Sequence, residues 1–269
     1  MKAWIIKDIA PLKVRPQWDC ELADEVLFGM PIEILHHEKE DWYGIRTHYG
    51  YEGFLHSSQF LVEELCDDNW VKAKKQVVMK AYADVLSEAK VQGSFLQGVP
   101  RGGRIALLDK QEGYWQGVLL PNGVEGWIRQ ESIAPLIEDY SVEEEEALRN
   151  RLVETAELYM GAQYRWGGKT LRGLDCSGLC SMAYMLNGIL IYRDANLVEG
   201  YPLKEIPKDE IKKGDLLFFP GHVAMYIEDG RYIHSAAGRN GVAYNSLNPD
   251  HDDFNQSLLD CFEQAGSIF

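Results

Sequence analysis

Positive charge is scarce in this chain. Its 269 residues carry 27 Lys and Arg against 42 Asp and Glu, a formal net charge of −15. Nucleic acid and anionic membrane surfaces attract basic patches, so neither is an expected partner. Long apolar runs are missing as well, and no stretch suffices to span a bilayer. Residues 1–20 lack a basic region followed by an apolar run and a small-residue cleavage site, so a cytoplasmic location is expected. Cysteine is sparse and irregularly spaced, at positions 20, 66, 176, 180 and 261. An odd, uneven set is a poor disulfide framework, and reduced thiols are expected. There is no Cys-x-x-Cys pair to build a zinc ribbon. His36-His37 is not joined by a second cluster, so no metal and no cofactor is expected.

What is present begins with a repeat. A shift of 73 positions lays residues 29–55 on 102–128 without a gap. Gly29 meets Gly102, Trp42 meets Trp115, Gly50 meets Gly123, and Glu52-Gly53 meets Glu125-Gly126. Two copies of one small unit follow from such a match. Ile32–Leu35, Ile105–Leu108, Trp42–Arg46 and Tyr114–Val118 read as strands. His48–Gly50 and Pro121–Gly123 read as hairpin turns. Short strands without a helical period predict a small β-barrel in each copy. The charged residues 63–75 read as a bridge between them. Ser141 with Glu144 fits a capping box that opens a helix running to about Met160.

The chemistry lies behind that helix, in Tyr164-Arg-Trp-Gly-Gly168 and then Asp175-Cys-Ser-Gly-Leu179. Leu179, Cys180, Ala183 and Leu186 follow Cys176 at helical spacing, and Asn187-Gly188 is a stop. Cys176 therefore opens a buried helix, whose N-terminus favours an anion and is expected to lower the thiol pKa. Asp175 occupies the N-cap position. Gly214–Phe219, His222–Ile227 and Arg231–Ser235 read as strands, with Asp229-Gly230 as the turn between the last two. That turn makes His234 a diagonal neighbour of His222, three residues from its cross-strand partner. A slip or bulge would put both on one face. A nucleophile, a base and a group that orients the base suffice for covalent acyl transfer.

The motifs Tyr-x-Trp-Gly-Gly, Asp-Cys-Ser-Gly, Gly-Asp-Leu-x-Phe-Phe, His-Val-x-x-Tyr-Ile and Tyr-Ile-His-Ser occur together and in order. Residues 140–269 thereby resemble the NlpC family of cysteine peptidases, whose fold is a reduced papain-like α+β domain. The doubled pattern of glycine, strand, Trp, strand and Gly-x-Glu-Gly-aromatic resembles the bacterial SH3-like domain. The implied fold class is α+β, with SH3-like barrels at 1–63 and 75–136 before the catalytic domain. The resemblance implies Cys176 as nucleophile, His222 as general base and His234 as the residue orienting it. Tyr164 would lend a phenol to the oxyanion. A lone Cys or His is more often structural, as Cys180 is expected to be.

Two SH3-like units before such a domain resemble the γ-D-glutamyl-L-diamino-acid endopeptidases of murein recycling. The implied partner is a small freed wall peptide, L-Ala-γ-D-Glu-diamino acid, whose free amine needs a carboxylate. Asp175 and Ser177 match the subfamily pattern for that site. Glu25 and Tyr51 are the first barrel's candidates, with Glu21, Glu52 and Tyr43 as rivals. Val124 stands where Tyr51 would fall in the second copy. Asp194, beside Arg193, is a further pocket candidate, with a loop salt bridge as the plainer reading. Alternatives are a hydrolase of intact cell wall with the barrels as wall anchors, a non-catalytic wall-binding protein, and an acyltransferase or amidase. The choice between lysine and diaminopimelate is left open, as is the oligomeric state.

Overall fold

A computed structural model describes residues 1–269, and it divides into two compact units, Met1–Leu136 and Ile137–Phe269. In the first unit, β1 (Lys2–Ile5), β2 (Ile9–Lys13), β3 (Leu22–Leu27), β4 (Pro31–Lys39), β5 (Trp42–Thr47), β6 (Glu52–His56) and β7 (Phe60–Val62) form one sheet. A short helix α1 (Asp68–Lys72) follows. A second sheet then holds β8 (Lys75–Val78), β9 (Tyr82–Leu86), β10 (Phe95–Pro100), β11 (Arg104–Glu112), β12 (Trp115–Leu119), β13 (Glu125–Arg129) and β14 (Ile133–Pro135). Strand order is β3-β2-β6-β5-β4-β1-β7 in one and β10-β9-β13-β12-β11-β8-β14 in the other. The two orders are identical once seven is added to each label, so the sequence repeat is a repeat of topology.

The two sheets share a core. Phe28 at the end of the first packs with Ile105, Val118 and Ile128 of the second. The Arg104 N–H donates to the Phe28 carbonyl at 2.8 Å. Residues 63–75 do more than bridge. Asp67 caps α1 through the N–H groups of Asn69 and Trp70, and the Trp70 side chain is fully buried in the shared core. The Lys75 ammonium sits 4.9 Å from the Trp4 ring centre and 4.6 Å from that of Trp70, a cation–π pairing that keeps a buried charge tolerable. Burial brings this lysine down to about 8.

The second unit opens with α2 (Glu145–Glu157). The expected capping box is absent: Glu144 is the N-cap and makes no side-chain cap bond, while Ser141 Oγ accepts from the Glu143 N–H. The hydroxyl is used in a local turn one step too early to cap the helix. Next come β15 (Lys169–Thr170), β16 (Gly173–Leu174) and α3 (Cys176–Met185). Then follow β17 (Lys204–Ile206), β18 (Leu216–Phe219), β19 (His222–Glu228), β20 (Arg231–Ala236), β21 (Gly241–Ser246), α4 (Gln256–Asp260) and β22 (Gln264–Ser267). The six-stranded sheet runs β17-β22-β18-β19-β20-β21. The fold is α+β: SH3-like sheets precede a sheet packed on one buried helix. No helix is long and apolar enough to cross a membrane.

Gly29 tests the shared core. Its φ is +71°, and an added Cβ would lie 2.1 Å from the Arg104 carbonyl oxygen. Gly29→Ala should cost about 3 kcal/mol or more, through strain and overlap together. Gly113→Ala, with φ +55° and open space around it, should cost about 1 kcal/mol. Urea midpoints of the two variants check the difference.

Candidate active site

Asp175 builds the start of α3. Its Oδ1 accepts from the Gly178 N–H at 2.6 Å, and its Oδ2 from the Gly167 N–H at 2.7 Å. The guanidinium of Arg193, 1% exposed, donates to Asp175 Oδ1 at 3.1 Å and Oδ2 at 3.3 Å. The same group donates to Ser177 Oγ at 2.8 Å and the Gly168 carbonyl at 3.2 Å. One carboxylate thus caps the helix and pins the 164–168 loop. Close approach explains the glycines: a Cβ on Gly178 would sit 2.1 Å from the Gly168 oxygen.

Sequence reasoning put Asp194 in the pocket and Asp175 with Ser177 against the substrate. The structure brings Arg193, the neighbour of Asp194, to Asp175 and Ser177. Asp194 is half-buried and accepts from the Tyr192 hydroxyl. Consecutive residues of a loop point different ways, so their identity alone could not choose between them. Glu25 is buried in β3, and Tyr51 is half-buried just ahead of β6. Beside them the Tyr49 hydroxyl donates to Asp24, an acid–tyrosine hydrogen bond on the residue before Glu25 and the residue two before Tyr51.

Cys176 is buried, and its sulfur accepts from the N–H groups of Val223 and Ser177. Val223 follows His222 directly, which brings the thiol to the start of β19. The expected lowering of the thiol pKa is not found. Burial, with the Asp175 charge, pushes Cys176 above its ordinary value and outweighs the two N–H groups and Arg193. Tyr164 is half-buried; burial raises its hydroxyl, and the charges of Cys176 and Asp175 add to the shift. The phenol therefore stands in the field of the thiol. Cys180 is fully buried, and its thiol is raised well above normal by burial, as befits an inert residue.

The histidine geometry depends on a bulge. The β19–β20 register shifts between Tyr226 and Glu228. Beyond the shift, Met225 faces Ile233 and Tyr226 faces Tyr232. Continued outward, this register sets His234 opposite Ala224, on the same face as His222. His222 Nε2 and His234 Nδ1 are 2.8 Å apart. His234 Nε2 lies 3.1 Å from Asn245 Oδ1, and Asn245 Nδ2 donates to the Asp253 carbonyl at 2.9 Å. A carbonyl can only accept, so the Asn245 amide is oriented with Oδ1 towards His234. His234 must then carry its proton on Nε2 and accept on Nδ1. His222 in turn carries its proton on Nε2, leaving Nδ1 free to take one. Asn245 was not found from the sequence. Its only signal is a polar residue in the strand after Tyr-Ile-His-Ser, and its register cannot be read without β21.

Burial lowers both imidazoles to about 4; at His234 the His222 charge adds to the lowering and the Asn245 bond opposes it. Burial thus favours the uncharged form of the thiol and of both imidazoles. No group of three or more His, Cys, Asp or Glu is arranged to hold a metal ion.

A buried thiol at a helix start with a line of imidazoles on an adjoining sheet defines a papain-like cysteine peptidase site. The model of the NlpC/P60 family matches residues 161–257. The chain is 40% identical over 272 residues to a dipeptidyl-peptidase 6 from Lysinibacillus sphaericus, across the whole of both chains. It is 28% identical to a γ-D-glutamyl-L-lysine dipeptidyl-peptidase from Bacillus cereus, over 85% of this chain and 71% of the other. A crystal structure of an NlpC/P60 protein from Bacillus cereus superposes with a TM-score of 0.79 at 23% identity, covering 98% of each chain. The chain belongs to the NlpC/P60 family of peptidases.

The imidazoles give a signed pH test. Their folded values lie below the ordinary 6.5, so the unfolded chain binds more protons between about 4 and 6.5. Stability of the second unit should fall as pH drops through that window. Imidazole NMR should show the His222–His234 pair titrating near 4. Titration of both near 6.5 would contradict the burial described.

Proposed function

We propose that the chain is a cysteine endopeptidase of peptidoglycan-derived peptides. It cuts the γ-D-Glu–diamino acid bond of free peptides with an unblocked L-Ala N-terminus, in recycling of wall peptides in the cytoplasm. The hydrogen-bonded line His222–His234–Asn245, with the Cys176 sulfur on the N–H of Val223 next to His222, carries the reading. It is supported by full-length likeness to a protein named a dipeptidyl-peptidase and by two relatives named for γ-D-glutamyl-L-lysine.

His222 Nδ1 takes the thiol proton as sulfur attacks the carbonyl, since neither group is charged at rest. The C–S bond forms, and the oxyanion draws on the Cys176 N–H at the helix start and on Tyr164. The C–N bond then breaks as His222 returns its proton to the leaving amine. Water, deprotonated by the same imidazole, hydrolyses the thioester and regenerates the thiol. His234 holds the tautomer throughout, and Asn245 holds His234.

Mass spectrometry with L-Ala-γ-D-Glu-L-Lys and its N-acetyl form is the test. The free peptide should be cut, the acetylated one spared, and Cys176→Ala inactive on both. Faster cleavage of intact, glycan-linked murein than of the free tripeptide would favour a wall hydrolase instead. Asn245→Ala should lower kcat roughly tenfold or more with KM little changed, because the tautomer is no longer fixed.

A further inference from the structure

A cavity adjoins the two histidines. It encloses about 440 Å³, and His222, His234, Asn245, Arg239, Asn255 and Ser257 are among its lining residues. Nothing in the chemistry of the thiol requires it. Its position matters because of His222. A general acid must reach the leaving nitrogen within hydrogen-bond distance, roughly 3 Å. The residue released with that nitrogen must therefore lie against the imidazole, and the imidazole is part of the cavity wall.

No carboxylate lines the cavity, and its one formal cation is Arg239. That residue ends a 3-10 turn, Ala237–Arg239, which leads out of β20. The turn is closed by Asn240 in the left-handed region, whose N–H donates to the Ala237 carbonyl at 3.0 Å. The next strand is tied down by the Val242 N–H on the Ala162 carbonyl. The backbone under Arg239 is thus fixed, while its side chain is exposed and has no hydrogen-bond or ion-pair partner in the chain. An uncommitted guanidinium is unexpected in a chain of net charge −15, where acids are plentiful. Its charge is felt at His234, so it stands close to the imidazole line.

We infer that this cavity is the leaving-group subsite and that Arg239 recognises the free α-carboxylate of the released diamino acid. The inference rests on the γ-D-Glu–diamino acid reading above. A carboxylate two bonds from the leaving nitrogen suits a planar guanidinium, which can bind it through two parallel hydrogen bonds. Asn255 and Ser257 add neutral polar groups to the same wall. With no acid in the cavity, recognition falls on the carboxylate and not on the side-chain ammonium of the released residue. The subsite would make the enzyme a reader of peptide length: it favours a peptide that ends at the diamino acid over one continuing beyond it.

The test compares L-Ala-γ-D-Glu-L-Lys with its C-terminal carboxamide, using wild-type protein, Arg239→Gln and Arg239→Lys. The wild type should prefer the free acid by roughly tenfold or more in kcat/KM, mainly through KM. Arg239→Gln should lose that preference by slowing far more on the acid than on the carboxamide. Arg239→Lys should recover part of it. Arg239 is exposed, so folding is not at stake. A wild type that cuts both peptides equally, or a Gln variant that slows on both alike, overturns the subsite and leaves the cleavage reading intact. A wild type that cuts neither overturns the cleavage reading and the subsite with it.

Discussion

Asp175 is the residue on which the catalytic unit turns. Its carboxylate caps α3, so it fixes where the helix begins and hence where Cys176 sits. It also holds the Gly167 N–H and neutralises the buried Arg193. Removing it would take a carboxylate from a buried guanidinium, a costlier change than the loss of one cap. The same charge works against the nucleophile, since it helps to hold the thiol protonated. The site combines a less acidic cysteine with a helix start fixed by the Asp175 carboxylate.

That compromise places the burden on the histidines. In the proposed reaction a protonated thiol needs a base, and the free lone pair of His222 is set by a sequence of constraints ending at one backbone carbonyl. Asp253 orients Asn245, which orients His234, which sets the tautomer of His222. Each link is a neutral hydrogen bond of modest strength. Their joint effect is specificity of proton placement, and it is available only because the β19–β20 bulge puts both imidazoles on one face.

The first unit shows how a repeat diverges without losing its frame. The two sheets have one strand order, yet they do not fold as separate beads, because Phe28, Trp70 and the strand opening at Arg104 contribute to a common interior. The segment between the copies reads as a charged bridge, but one tryptophan within it is enough to make it part of the core. The copies also differ in their buried polar groups. Asp24 with Tyr49 is an internal pair of the first sheet, whereas the 73-residue shift puts Gln97 and Asn122 at those positions, bonded to the Gly98 carbonyl and the Val124 N–H.

The sequence by itself determined the repeat, the family motifs, the helix beginning at Cys176 and its cap. These are local: a glycine that needs positive φ, an acid before a buried helix, and alternating strands each leave a mark within a few residues. Tertiary structure alone decided which residues meet. The bulge that aligns His222 with His234 inserts one residue into a strand whose composition does not reveal it. Asn245 and Asp253 join the line through the register of β21 and the turn after it. Arg193, and not Asp194, enters the core because the loop's path is set by the Asp175 carboxylate across from it. The thiol's protonation was misjudged for the same reason, since burial depends on everything packed around the sulfur, whereas the helix start that suggested an anion was visible in five residues.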